Sequence, residues 1–158
     1  MSIPILPRLP PLPAVRDLLN LFRLRAVKQL SQNFLLEPKL TSKLVAAAGK
    51  MQDAHVCEVG PGAGSLTRII LSRGVQSLVV VEKDRRFQPI LEMLVEASQG
   101  SMSVVWGDVL SHNLAKSFPE QATHQWEEKP PNIHVIGNLP FNVATPLIIR
   151  WLKAISER

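Results

Sequence analysis

Apolar and polar positions along the chain fall into short blocks whose period changes several times. His55-Val-Cys-Glu-Val59, Ser77-Leu-Val-Val-Val81, Met102-Ser-Val-Val-Trp106 and Ile133-His-Val-Ile136 are compact apolar runs rich in β-branched residues. Such runs fit strands covered on both faces. Between them the apolar spacing lengthens to that of helices. Leu66, Ile69 and Ile70 line one face of a segment that stops before Gly74, and residues 85–98 form another, with Pro89 in its opening turn or kinking it. Upstream, Pro38 suits a first helical turn, Leu40, Leu44, Val45 and Ala48 make its apolar face, and Gly49 can end it. Downstream, Thr145–Ile155 reads as a last helix with Pro146 in its first turn. Strands and helices in this alternation predict an α/β fold with a doubly wound, mostly parallel sheet.

Residues 1–30 follow a different rule. Pro4, Pro7, Pro10, Pro11 and Pro13 bar a continuous helix at the start. Arg8-Leu-Pro-Pro-Leu-Pro13 also fits a polyproline ligand, although such matches arise readily in extended segments. Val15, Leu18, Leu19, Phe22 and Val27 then fall near helical spacing, with Arg16, Arg23, Arg25 and Lys28 between them. An acid-poor, arginine-bearing amphipathic start has the character of an organelle import sequence. The alternative is a solvated helix on the surface of the domain. Two regions are therefore expected: a proline-rich, basic arm or presequence over residues 1–30, and a globular part over residues 31–158.

Charge agrees with that division. The net charge is +5, but residues 1–30 hold five basic groups and one acid, leaving 13 basic and 12 acidic groups in the rest. The globular part is near neutral, so the basic balance does not by itself mark an RNA-binding body. Of the residues, 46% are hydrophobic and 20% charged, a composition that folds. No apolar run reaches about 18 residues, so no membrane association through a span is expected. The one cysteine, Cys57, excludes an internal disulfide and reads as a small core residue. The four histidines have no metal-ligand spacing, so no metal site is expected.

The chemistry gathers at the strand ends. Glu58-Val-Gly-Pro-Gly-Ala-Gly64 joins the first strand to a helix, and Gly60, Gly62 and Gly64 let a ligand approach the backbone. A dinucleotide would place its pyrophosphate at the helix N-terminus, where Glu58 would repel it. S-adenosylmethionine has no phosphate and carries an ammonium and a sulfonium, so the same acid favours it. Glu82 ends the second strand, 20 residues after Gly62, in position for ribose hydroxyls, a contact that suits NAD equally well. Asp108, after the third strand, can accept hydrogen bonds from an adenine amino group. After the fourth strand comes Asn138-Leu-Pro-Phe141. The Asn138 side-chain oxygen and a backbone carbonyl, that of Leu139, can accept both hydrogens of adenine N6 and localise its lone pair. Pro140 fixes the turn, and Phe141 offers a stacking face for an extruded base. Trp106, Trp126 and Trp151 read as packing residues.

Gln32-Asn-Phe-Leu35, Glu58-Val-Gly-Pro-Gly-Ala-Gly-Ser-Leu-Thr67, Glu82, Gly107-Asp108 and Asn138-Leu-Pro-Phe-Asn142, followed by Thr145-Pro146-Leu147, together resemble the small-subunit rRNA adenine N6,N6-dimethyltransferases. The order and spacing match over residues 31–152. The arm Leu21-Phe-Arg-Leu-Arg-Ala-Val-Lys-Gln-Leu30 is most similar to that of the mitochondrial members, whose relatives are also described as mitochondrial transcription factor B proteins. The resemblance implies a Rossmann-like, S-adenosylmethionine-dependent methyltransferase in the mitochondrial matrix. It would dimethylate two adjacent adenosines in a hairpin loop near the 3′ end of the small-subunit rRNA, in support of ribosome biogenesis, with the mitochondrial transcription machinery as a further partner. It carries cofactor contacts over to Asn33, Leu35, Gly60, Glu82, Lys83, Asp108, Val109 and Asn138. For Asn33 and Leu35 the resemblance is the sole argument. Many relatives have Tyr where Phe141 stands, which keeps the stacking face and adds a hydroxyl.

The family pattern continues with three more strands and a helical C-terminal domain. Residues 31–158 are therefore expected to be the N-terminal part of the methyltransferase domain, as a fragment, a truncated isoform or an incomplete gene product. Three readings stay open: the dimethyltransferase; a non-catalytic nucleic-acid-binding or transcription-associated scaffold, or inactive isoform; and a nicotinamide-dependent dehydrogenase, argued for by the glycine turn and Glu82 and against by Glu58 and the tetrapeptide.

Overall fold

A computed structural model describes residues 9–26, 34–122 and 128–156. Four strands form one parallel sheet in the order β3-β2-β1-β4: β1 (His55–Val59), β2 (Ser77–Glu82), β3 (Met102–Trp106) and β4 (Ile133–Gly137). β1 pairs with β2 from His55↔Ser77 to Val59↔Val81 and with β4 from His55↔Ile133 to Val59↔Gly137. The chain runs outward from β1 to β3 and then returns to β1's other side. That reversal leaves a crevice at the carboxyl ends of β1 and β4, the place where ligands of such sheets bind.

The helices are α1 (Val15–Leu21), α2 (Pro38–Ala47), α3 (Ser65–Ser72), α4 (Gln88–Ala97) and α5 (Phe141–Ser156), with a 3-10 turn at Arg85–Phe87 leading into α4. Successive strand residues point to opposite faces, and two apolar clusters result. The larger joins Val56, Leu78 and Val80 to Leu18, Val45, Ile70, Phe87, Ile90, Leu91 and Leu94 of the helices. The smaller joins Cys57, Val59 and Val81 to Val109 and to Leu147 of α5. Cys57 is fully buried there, and burial raises its thiol pKa, the behaviour of a core residue.

Part of the N-terminal stretch lies against the larger cluster. Leu18 and Leu19 are 2% and 6% exposed, and Leu9, Leu12, Val15 and Leu24 pack around them. The Arg68 guanidinium of α3 donates to the Pro13 carbonyl at 2.5 Å. Phe22, expected on the buried face, is 39% exposed. Val27 and the import-like residues beyond it lie outside the described residues.

Two helices depart from their expected form. α2 buries Thr41 and Val45, while Leu40, Leu44 and Ala48 are exposed. Thr41 can turn inward because its hydroxyl donates to the Glu37 carbonyl at 2.9 Å. α5 starts at Phe141 rather than Thr145, so Pro146 lies inside it. The helix starts early because the Pro140 carbonyl accepts from both Val143 N–H and Ala144 N–H, at 3.0 and 2.9 Å. Pro146 then forgoes one bond, to the Asn142 carbonyl, in the second turn.

Candidate cofactor and substrate site

A cleft of about 890 Å³ occupies the crevice, and residues following all four strands line it. The turn after β1 forms its floor. Gly60, Gly62 and Gly64 have φ of +66°, +54° and +81°, a left-handed run that side chains disfavour. At Gly64 packing adds to the demand, since a Cβ there would stand 2.5 Å from Leu94 Cδ1.

Glu58 lies beneath this turn and is 1% exposed. Its Oε2 accepts from the Thr67 hydroxyl of α3 at 2.7 Å, while Oε1 has no partner among the described residues. Burial pushes its pKa up to about 8; the Thr67 bond opposes this and the neighbouring Glu82 adds to it. Buried in this way, the carboxyl holds its proton to higher pH than an ordinary glutamate. Glu82 is buried at the end of β2, with Oε2 accepting from Gly62 N–H at 3.0 Å and Oε1 from Asp84 N–H at 2.7 Å. Burial raises its pKa, and the N–H groups of Asp84, Gly62 and Lys83 oppose the rise.

At the next strand end, Asp108 Oδ1 accepts from Leu110 N–H at 3.0 Å and Oδ2 from Lys83 Nζ at 2.8 Å. The Lys83 bond, followed by the Leu110 N–H, holds the Asp108 carboxyl below its ordinary range. Lys83 and Asp108 thus bridge the ends of β2 and β3 along one rim of the cleft. On the other side, Asn138, Leu139, Pro140 and Phe141 all line the cleft. Leu139 and Pro140 are half-buried, Asn138 is exposed, and Phe141 is 88% exposed at the first position of α5.

A family model described as ribosomal RNA adenine dimethylase matches residues 23–158. The chain belongs to that family. Mitochondrial dimethyladenosine transferase 1 of Bos taurus is 58% identical over 151 residues, which are 96% of this chain and 44% of that protein. The chain thus spans less than half the length of this relative. Among solved structures, a candidate RNA methyltransferase of Pyrococcus horikoshii superposes with a TM-score of 0.61 at 20% identity, over 87% of this chain and 66% of that one. A dimethyladenosine transferase from Plasmodium falciparum gives 0.57 at 20% identity, over 77% and 38%. These structures establish the fold, which is Rossmann-like.

In this family member the residues singled out from the sequence meet around one cleft, with one outside the view. Leu35, Glu58, Gly60, Glu82, Lys83, Asp108, Val109 and the tetrapeptide all line it; Asn33 lies outside the described residues. Val109 is 7% exposed and belongs to the smaller cluster. Four contributors escaped the sequence reading. Phe34 and Phe87 line the cleft and meet edge to face, centroids 5.8 Å apart. Phe34 sits in the Gln32–Leu35 motif, which was its available signal. Asp84 lines the wall two residues after Glu82, and Thr67 lies nine residues after Glu58, a separation that only the turn into α3 brings close. Among the tryptophans, Trp106 and Trp151 are partly buried against the two clusters, and the Arg85 guanidinium lies 5.1 Å from the Trp106 ring centre. Trp126 lies outside the described residues. No group of three metal-ligating side chains occurs among the described residues, and no described helix is long and apolar enough to cross a membrane.

Proposed function

We propose that this chain carries the cofactor- and base-binding part of an S-adenosylmethionine-dependent rRNA adenine N6-dimethyltransferase. Its substrate would be two adjacent adenosines in a hairpin loop near the 3′ end of mitochondrial small-subunit rRNA, in support of ribosome biogenesis. The observation that carries this reading is the convergence of Glu58, Glu82 and Asp108 with Asn138-Leu-Pro-Phe141 on one cleft.

The donor set fits the cofactor. A buried carboxyl with an unpartnered oxygen, Glu58 Oε1, suits a ligand that brings positive charge. Glu82 is held rigid by two backbone N–H groups and keeps lone pairs for ribose hydroxyls. Asp108 can accept from an adenine amino group, and Phe34, Leu35 and Val109 supply apolar wall. A dinucleotide fits poorly. The Gly62 amide that would meet a pyrophosphate already donates to the Glu82 carboxylate.

Once bound, the cofactor supplies an electrophilic methyl group on sulfonium. The chain's own residues supply orientation and hydrogen bonding. Asn138 Oδ1 and the Leu139 carbonyl accept the two N6 hydrogens, which directs the nitrogen lone pair outward. Phe141, fixed at the start of α5, presents an exposed face on which an extruded base can stack. A non-catalytic scaffold gains no support from a cleft that retains this full set of acceptors. The names of the relatives support a mitochondrial location, with the matrix as the compartment of the rRNA.

Asn138→Ala in a full-length chain tests the reading. Methyl transfer to rRNA should fall by about 10²-fold or more, the cost of losing a donor or acceptor aimed at the reacting group, with the melting temperature unchanged. Undiminished dimethylation would contradict it.

A further inference from the structure

The Leu139 side chain has a seat that the adenine reading does not require, because that reading uses only the residue's carbonyl. β1 and β4 are adjacent and in register through Val59↔Gly137, so Gly60 and Asn138 leave the sheet side by side. The isobutyl group of Leu139 lies across this gap. A Cβ on Gly60 would stand 2.9 Å from Leu139 Cδ2, and one on Gly137 would stand 3.4 Å from Leu139 Cγ. Neither position tolerates a side chain easily, since Gly60 has φ of +66° and a Cβ on Gly137 would also lie 2.6 Å from the Val59 carbonyl oxygen. Below, Leu139 packs against the cluster of Cys57, Val59, Val81, Val109 and Leu147.

Two bare backbones thus form a saddle, and one side chain fills it. The saddle belongs to the cofactor turn on one side and to the tetrapeptide on the other. We propose that the Leu139 side chain is a positioning residue whose seat on Gly60 and Gly137 sets the separation between the cofactor turn and Asn138. This inference rests on the proposed methyl-transfer function. Its physical basis is the steep dependence of group transfer on approach: reacting atoms must be held within about 3–3.5 Å, and a displacement of about 1 Å costs on the order of 10²-fold.

The test is steady-state methyl transfer by the full-length protein carrying Leu139→Ala, Leu139→Met or Asn138→Ala. Leu139→Ala keeps the carbonyl and empties the saddle. Its kcat should fall about 10²-fold with the KM for S-adenosylmethionine changed less than about twofold. Leu139→Met refills the volume with an unbranched chain and should recover most of the loss. A Leu139→Ala enzyme with native kcat overturns the inference. So does a parallel loss of kcat and cofactor affinity, or a Leu139→Met enzyme as impaired as the alanine variant. Asn138→Ala separates the two claims. If it is inactive while Leu139→Ala is native, the positioning inference falls alone. If Asn138→Ala is itself fully active, the adenine reading falls with it.

Discussion

The β1-α3-β2-α4 half of the molecule and the β4-α5 half are written in the same apolar alphabet, yet they are packed differently. Val56, Leu78 and Val80 are completely buried, whereas Val135 of β4 is 41% exposed. Ile70 of α3 and Ile90, Leu91 and Leu94 of α4 are at 0%, but Ile148, Ile149 and Leu152 of α5 stand at 52%, 49% and 61%. In α5, Leu147 at 1% is the deep anchor among the described side chains. The periodicity of a segment therefore reports that it has an apolar face, and reports nothing about what covers that face. The difference bears on function. Glu58 and Glu82 belong to the densely packed half, while Asn138 follows β4 in the loosely packed one, beside Leu139, which packs against the smaller cluster.

The largest expected effect tests that contrast directly. Ile70→Ala should destabilise the protein by about 2–5 kcal/mol, the cost of a cavity in a packed core. Ile149→Ala should stay within about 0.5 kcal/mol, as exposed positions do. Chemical denaturation of both variants checks this, and equal losses would erase the distinction between the halves.

The N-terminal helix comes next. Leu18 is buried in the larger cluster and Arg68 holds Pro13, so Leu18→Ala should cost about 2–3 kcal/mol. A midpoint indistinguishable from native would place α1 outside the cooperative unit.

Glu58 offers a sharper probe of the cofactor side through pH. Its folded pKa, about 8, lies above its ordinary 4.5. Between those values the folded state binds more protons than the unfolded, so the stability that Glu58 contributes is complete below about 4.5 and is lost as pH rises through about 8. Glu58→Gln should remove that decline, visible as a flatter melting temperature between about pH 5 and 9. An unchanged pH profile would show that the carboxyl does not titrate in this window.

The smallest effect concerns the rim. Lys83 is 65% exposed in its bridge to Asp108, and exposed ion pairs contribute little to stability. Lys83→Ala should leave the melting temperature unchanged while raising the Asp108 pKa toward its ordinary value, a shift that NMR titration of the carboxyl would register. An Asp108 pKa that stays low would assign its depression to the Leu110 amide instead.

How much of this was legible in the sequence follows from how local each signal is. All four strands were readable because each is a short β-branched run ended by a turn or an acid, and their carboxyl ends marked the site. The Gly60–Gly64 turn and the tetrapeptide were readable because their residue types answer a local chemical need. The inward face of α2 was not, because Leu40 and Leu44 compete with Thr41 and Val45 for the same helical spacing, and a hydroxyl bond decided the outcome. The start of α5 was missed because Pro146 signals a first turn locally, while the Pro140 carbonyl nucleates the helix at Phe141, four residues before Thr145. Thr67 stood in the glycine-turn motif, but its bond to Glu58 escaped because the fold alone brings the two side chains together. The same holds for Leu139 and Gly60, whose contact joins segments 79 residues apart.

The central claim is that the cleft is built for a cationic nucleoside cofactor rather than a dinucleotide phosphate. Calorimetric titration of this chain with S-adenosylmethionine, in parallel with NAD, tests it most directly, with Glu82→Ala as the paired variant. The expected result is saturable binding of S-adenosylmethionine that Glu82→Ala abolishes, and no heat of binding for NAD. Binding of NAD, or S-adenosylmethionine affinity untouched by loss of Glu82, would contradict it.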